Sequence, residues 1–198
     1  MQDSKNQSSM LDSSYSERAL HHVKTAPNDT VYINAVIHIA GIAQFNAIKH
    51  FCFSECERMF RVNVFSICEI IKALSSKLHR KHLRNIIFLS SISAHRGYKA
   101  MGLYGASKAG LCSLARSLSV ELAPYTQVNS VVLAGIRTSG TEFLYTDSFI
   151  EKMDTIYPLG QGTIQDVANL IEFLHSKSRW ISGQNIFLDG AMGMAGQQ

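Results

Sequence analysis

Two side chains four residues apart in the segment YGASKAG, Tyr104 and Lys108, form the pair best suited to chemistry. On a helix, residues i and i+4 share one face. A phenol with a pKa of about 10 is a poor acid or base at neutral pH. An ammonium beside it stabilises the phenolate and brings the group toward the working range. Taken alone, Tyr-x-x-x-Lys arises often by chance and is equally an ordinary surface pair. Position gives it weight. Ser91 ends the apolar run IIFLSS upstream, and strand C-terminal ends are where sites form in open α/β sheets. The intervening ISAHRGYKAMGL can fold back and set the hydroxyl beside the phenol. Gly105, Ala106, Ser107, Ala109 and Gly110 keep that helix slim enough for close approach of a ligand or another helix.

The elements that must position these groups are legible as apolar runs. VYINAVIHIA (31–40), NIIFLSS (85–91), VNSVVLA (128–134) and NIFLD (185–189) are nearly continuous in apolar, β-branched residues. That pattern predicts parallel strands covered on both faces. Helix-length segments lie between them at 54–79, 104–123 and 163–175, so the alternation predicts a doubly wound α/β sheet. Ser54, followed by Glu55 and Glu57, is an expected N-cap. Thr163, followed by Gln165 and Asp166, is another. Pro124 should stop the helix ending in VELA. The stretch from Ala134 to Gly162 has no clear sheet partner, and long inserts of this kind often form lids.

Composition bounds the rest. The 198 residues are 46% hydrophobic and 17% charged, which describes one well-buried globular domain. A net charge of +4 is too mild and too dispersed to imply nucleic acid. The basic run KLHRKHLR (77–84) reads as a solvated helix C-terminus. No apolar run approaches the roughly 18 residues of a membrane span, and MQDSKNQSSM has no secretory h-region. Cys52, Cys56, Cys68 and Cys112 are too few for a disulfide scaffold. Cys52 and Cys56 with His50 fit no zinc spacing, so half-buried thiols in a reducing cytoplasm are the expectation and no metal is. Residues 1–10 read as a disordered segment and 11–198 as a single domain.

With these motifs in order, FLSSISAHRGYKAMGLYGASKAGL resembles the catalytic segment of the short-chain dehydrogenase/reductase family. FRVNVFS resembles that family's Asn-bearing helix, and QVNSVVLAGIRT the strand and loop beside the nicotinamide. PLGQGTIQDVANLIEFL and ISGQNIFLDGA resemble its last helix and strand. The resemblance spans about 36–190 and implies a Rossmann-like doubly wound parallel sheet. It implies hydride transfer between NADP or NAD and a small carbonyl or alcohol substrate, 3-oxoacyl thioesters being the nearest class. Tyr104 would donate the proton, Lys108 would lower the phenol's pKa and hold the nicotinamide ribose, and Ser91 would bond the carbonyl oxygen. Asn63 would hold a proton-relay water against Lys108. Ala40, Gly41, Ile136 and Thr138 would contact the cofactor. Asp12, in LDSSYSERAL, would meet the adenine, or is a simple capping or loop aspartate. The family's subunits commonly pair through the helices here at 54–79 and 104–123, implying a homo-oligomer.

The sequence also departs from the family pattern. Where the family has Asn-Asn-Ala-Gly, this chain has His38, Ile39, Ala40 and Gly41. The Pro-Gly of the nicotinamide loop is replaced by Leu133 and Ala134, with Gly135 next. No glycine-rich strand–turn–helix precedes His38, and Gly190, Gly193 and Gly196 lead into no helix. With Asp12 placed by resemblance, roughly 45 residues, about one βαβ unit, are absent. The strand at 31–40 is then expected to form an exposed apolar edge. A non-catalytic remnant or assembly partner is the alternative function, and a sugar-nucleotide epimerase with the same Tyr and Lys a more distant one.

Overall fold

The structure is a computed structural model that describes residues 32–194 except 77, 78, 139, 140, 143, 144 and 151. Four strands, β1 (Ala35–His38), β2 (Asn85–Ser91), β3 (Gln127–Leu133) and β4 (Asn185–Leu188), form one sheet in sequence order. All three pairings are parallel, with Ala35 opposite Asn85, Asn85 opposite Gln127 and Ser130 opposite Asn185. All four strands therefore run in one direction, and their C-terminal ends lie along one edge of the sheet. The first strand is shorter than the apolar run suggested, since pairing begins only at Ala35.

The two inner strands are buried almost throughout, and alternate residues serve two cores. Ile86, Phe88 and Val128 pack against α2 (Ser66–Leu74) and α3 (Gly102–Glu121) through Ile67, Ile71, Leu111 and Ala115. Ile87, Leu89 and Val131 face the other way, onto Val167 and Leu174 of α6 (Ile164–Ser176). Each fully buried Ile, Leu or Phe contributes roughly 1.5–3 kcal/mol. Helices on both faces make the sheet doubly wound, as the strand–helix alternation predicts. Ser90 is, with Asn85, one of two buried polar residues in β2. Its hydroxyl donates to the Lys108 carbonyl at 2.9 Å, tying the middle of α3 to the sheet.

The segment predicted as one helix over 54–79 is more elaborate. It comprises α1 (Phe53–Phe60), a π turn over Arg61–Phe65 and then α2, which ends at Leu74. Ser54 is not its N-cap. Cys52 carries the extended backbone of that position, and Ser54 lies inside the first turn with its hydroxyl 3.3 Å from Cys52 Sγ. The described part of the basic run, 79–84, lies beyond the end of α2 and is not simply a solvated helix end: His79 and Leu83 are buried, and His82 stacks on Tyr32 at 3.7 Å. Thr163 does cap α6, in a full capping box with Asp166. Between β3 and α6 lie two short helices, α4 (Asp147–Ile150) and α5 (Met153–Ile156).

Among the described residues β1 is an edge strand, with Ile37 39% and Ile39 65% exposed. No helix of the described residues is long and apolar enough to cross a membrane.

Candidate active site

An open cleft of about 1190 Å³ lies along the C-terminal ends of the strands. Ser91 enters it from the last residue of β2, and Tyr104 and Lys108 enter from the first turns of α3. Gly105, between them, lets the helix approach the turn Ile92–Ala94, because a Cβ there would run into the Ser93 carbonyl oxygen. Ser91 caps this turn by accepting from the Ser93 N–H at 3.3 Å, and it also accepts the Ser93 hydroxyl at 3.0 Å. Both bonds come from Ser93 and hold the Ser91 hydroxyl against the turn.

Lys108 is 6% exposed, and its ammonium donates to the Leu89 carbonyl at 2.9 Å. Burial holds its pKa down to about 8. Its Nζ lies 5.9 Å from the centre of the Tyr104 ring. Burial pushes the Tyr104 phenol up, and the Ser91 hydroxyl pulls it partly back. With the ammonium turned to Leu89, burial dominates and the phenol stays protonated at neutral pH. Phe45 meets the Tyr104 ring edge-on at 6.0 Å and closes one side.

Asn63 sits in the π turn, fully buried, and is brought close to this group. Its amide oxygen accepts the Ile42 N–H at 2.8 Å, and its amide nitrogen donates to the Ile42 carbonyl at 2.9 Å and the Ser107 hydroxyl at 3.0 Å. A π turn inside an α-helix commonly marks a functional position. Gly41 lines the cleft, and a Cβ on it would lie 3.1 Å from Lys108 Nζ and 3.4 Å from Asn63 Oδ1. Any larger residue would press on the ammonium.

The loop after β3 forms the opposite wall. Ile136 and Thr138 line the cleft with Leu133, Ala134 and Gly135. Its shape is held from within: Thr141 accepts the Thr138 N–H at 2.8 Å and donates to the Ile136 carbonyl at 2.9 Å. Gly135 donates its N–H to the Tyr157 hydroxyl at 3.1 Å, so the Leu133–Ala134 replacement still ends in an anchored loop. Phe149, Thr155 and Ile156 of the insert face the same space.

Of the residues expected from sequence, Ser91, Tyr104, Lys108, Gly41, Ile136 and Thr138 share this cleft, and Asn63 stands directly behind it. Ala40 is exposed and is not among the lining residues. Asp12 lies outside the described residues. Three further residues escaped the sequence reading. Arg96 and Tyr98 line the cleft, Arg96 donating to the Met192 carbonyl at 3.1 Å and the Tyr98 hydroxyl being buried without a partner. His38, which stood out only as a departure from pattern, is buried with Nε2 3.0 Å from the Asn63 carbonyl. A histidine inside an apolar strand was the available signal.

A sequence profile described as enoyl-(acyl carrier protein) reductase matches residues 3–193, nearly the whole chain. The chain belongs to the short-chain dehydrogenase/reductase family. It is similar to a 3-oxoacyl-(acyl-carrier-protein) reductase of Buchnera aphidicola subsp. Schizaphis graminum, 27% identical over 93% of this chain and 77% of the relative. A reductase of the same description from Staphylococcus aureus is 29% identical over 82% of this chain and 67% of its own length. Among solved structures, a short-chain dehydrogenase/reductase from Brucella melitensis superposes with a TM-score of 0.78. It is 27% identical, over 89% of this chain and 72% of that one. A gluconate 5-dehydrogenase from Burkholderia cenocepacia, solved with NADP and tartrate, gives a TM-score of 0.83 at 20% identity. It covers 93% of this chain and 73% of that one, and it supports the fold alone. Membership of this family makes the chain an oxidoreductase by resemblance.

Proposed function

We propose that this short-chain dehydrogenase/reductase interconverts a carbonyl and an alcohol by hydride transfer with NADP or NAD, and that its substrates are 3-oxoacyl thioesters. The carrying observation is the convergence of Ser91, Tyr104 and Lys108 on one largely apolar cleft. In reduction, the protonated Tyr104 phenol gives its proton to the substrate's carbonyl oxygen while Ser91 donates a hydrogen bond to that oxygen. In oxidation both steps reverse. Lys108 supplies positive charge where the phenolate develops, and Asn63 backs the Gly41–Ile42 segment. The reductases named above support the substrate class.

The residues present fit the nicotinamide and its ribose. Gly41 leaves room beside Lys108, while Ile136 and Thr138 form the facing wall. A bound nicotinamide would supply or accept the hydride. Among the described residues, no glycine-rich turn opens a helix that could take a pyrophosphate. Residues 11–198 are read as one domain.

A second reading, a non-catalytic partner in an assembly of related subunits, is favoured by one observation. Phe53, Phe65 and Ile70, along α1, the π turn and α2, are 71%, 53% and 44% exposed. Titrating the chain with NADPH and NADH, then following nicotinamide oxidation with an acetoacetyl thioester, separates the two. Turnover that disappears in Tyr104→Phe supports the enzyme. No binding of either nucleotide, together with concentration-dependent association, supports the partner.

A further inference from the structure

His38 ends β1 with its side chain turned inward, 6% exposed. Its Nε2 lies 3.0 Å from the Asn63 carbonyl oxygen. A carbonyl only accepts, so Nε2 carries the proton and the neutral ring keeps Nδ1 as an acceptor. The contact joins β1 to the π turn. Asn63, so held, closes on both backbone groups of Ile42 with its own amide. A Cβ built on the adjoining Gly41 would lie 3.4 Å from Asn63 Oδ1 and 3.1 Å from Lys108 Nζ. The hydrogen bonds thus run from the imidazole through Asn63 to Ile42, and the neighbouring Gly41 lies close to the ammonium.

We propose that His38 is a positioning residue of the acid–base site: through its Nε2–H on the Asn63 carbonyl it fixes the Asn63 amide and, with it, the Gly41–Ile42 backbone against Lys108. The inference rests on reading Tyr104 and Lys108 as the acid–base pair. The groups facing His38 are Phe88 of β2, edge-on at 6.4 Å, the Asn63 carbonyl of the π turn, and the Lys108 ammonium of α3. Burial holds the imidazole pKa below its usual value, the Asn63 carbonyl opposes this, and the Lys108 charge reinforces it. The neutral ring is therefore the competent form. An imidazolium would add a second buried positive charge beside the ammonium.

Two substitutions test this. His38→Gln places an amide N–H near the position of Nε2 but cannot titrate; His38→Leu removes the donor. The first readout needs no substrate: hydrogen exchange at the Ile42 amide, which Asn63 Oδ1 holds at 2.8 Å. Exchange should accelerate about tenfold or more in His38→Leu and stay near wild type in His38→Gln. Imidazole nitrogen shifts should show the Nε2–H tautomer in wild type. With an acetoacetyl thioester and NADPH, His38→Leu should lose roughly tenfold or more in kcat with KM little changed. His38→Gln should keep its kcat and lose the wild-type fall in activity on the acid side. Unchanged Ile42 exchange in a folded His38→Leu, or an Nδ1–H tautomer, overturns the inference. If wild type shows no turnover, the proposed function fails while the exchange and tautomer results still decide the role of His38.

Discussion

The ammonium of Lys108 donates to the Leu89 carbonyl at 2.9 Å, and among the described residues no carboxylate lies within ion-pair distance of it. A buried cation neutralised only by a carbonyl dipole is costly to the fold.

That cost has a pH signature. The folded-state pKa is about 8, while a lysine in an unfolded chain titrates at about 10.4. Between those values the unfolded chain binds more protons, so stability rises as pH climbs from 8 toward 10.4. Below pH 8 the whole penalty is present, on the order of 3 kcal/mol at about 1.4 kcal/mol per unit. Lys108→Met should therefore raise the urea midpoint at pH 7, with an advantage that shrinks toward pH 10, and should abolish turnover. A variant no more stable than wild type at pH 7 would count against the buried ammonium.

The two glycines at the start of α3 should respond differently to alanine. A Cβ at Gly105 meets the Ser93 backbone, which cannot move without displacing Ser91, whereas nothing lies within 4 Å of a Cβ at Gly102. Gly105→Ala is expected to cost roughly 1–3 kcal/mol and to lower activity further. Gly102→Ala should be neutral or stabilising by about 0.5 kcal/mol. Denaturation midpoints of the pair check the contrast, and equal effects would refute it.

Thr163 and Asp166 close the N-terminus of α6 reciprocally, with the Thr163 N–H 2.7 Å from the Asp166 carboxylate. Thr163→Ala should lose about 1 kcal/mol. These bonds hold the Asp166 pKa below its usual value. The cap's contribution should accordingly be present above the ordinary carboxylate range and lost as pH falls through the lowered value. Comparing wild type with Thr163→Ala across acid pH isolates this effect.

Among the described residues β1 has a strand on one side alone, and its Ile37 is exposed and offers apolar surface there. Ile37→Lys should reduce concentration-dependent association with a stability change below about 1 kcal/mol. Sedimentation over a range of concentrations tests it. Association unaffected by the lysine would place the contact on another surface.

Local geometry explains what the sequence made legible. The i, i+4 relation of Tyr104 and Lys108 follows from any helix, and Ser91 ends an apolar run whose length alone marks a strand. Thr163 with Asp166 is a cap by residue type. The role of His38 depended on the π turn at Arg61–Phe65, and nothing in RVNVF distinguishes a π turn from an α turn. Ser54 looked like the cap because its type suits that position, but the backbone of Cys52 supplies the extended conformation. Arg96 meets Met192 only through the fold, since the two are far apart in sequence. Contacts of that kind leave no local periodicity to read.

The parallel order of the sheet also bears on how the chain reaches this state. Asn85 finds Ala35 on one side and Gln127 on the other, and Ser130 waits for Asn185. Each pairing closes a loop of several dozen residues before any ladder hydrogen bond rewards it. Among the described strands no hairpin offers a local step from which to begin. Helices such as α3 can form early, but the edge on which Ser91 sits is completed late, and folding should be slow for a chain of this size.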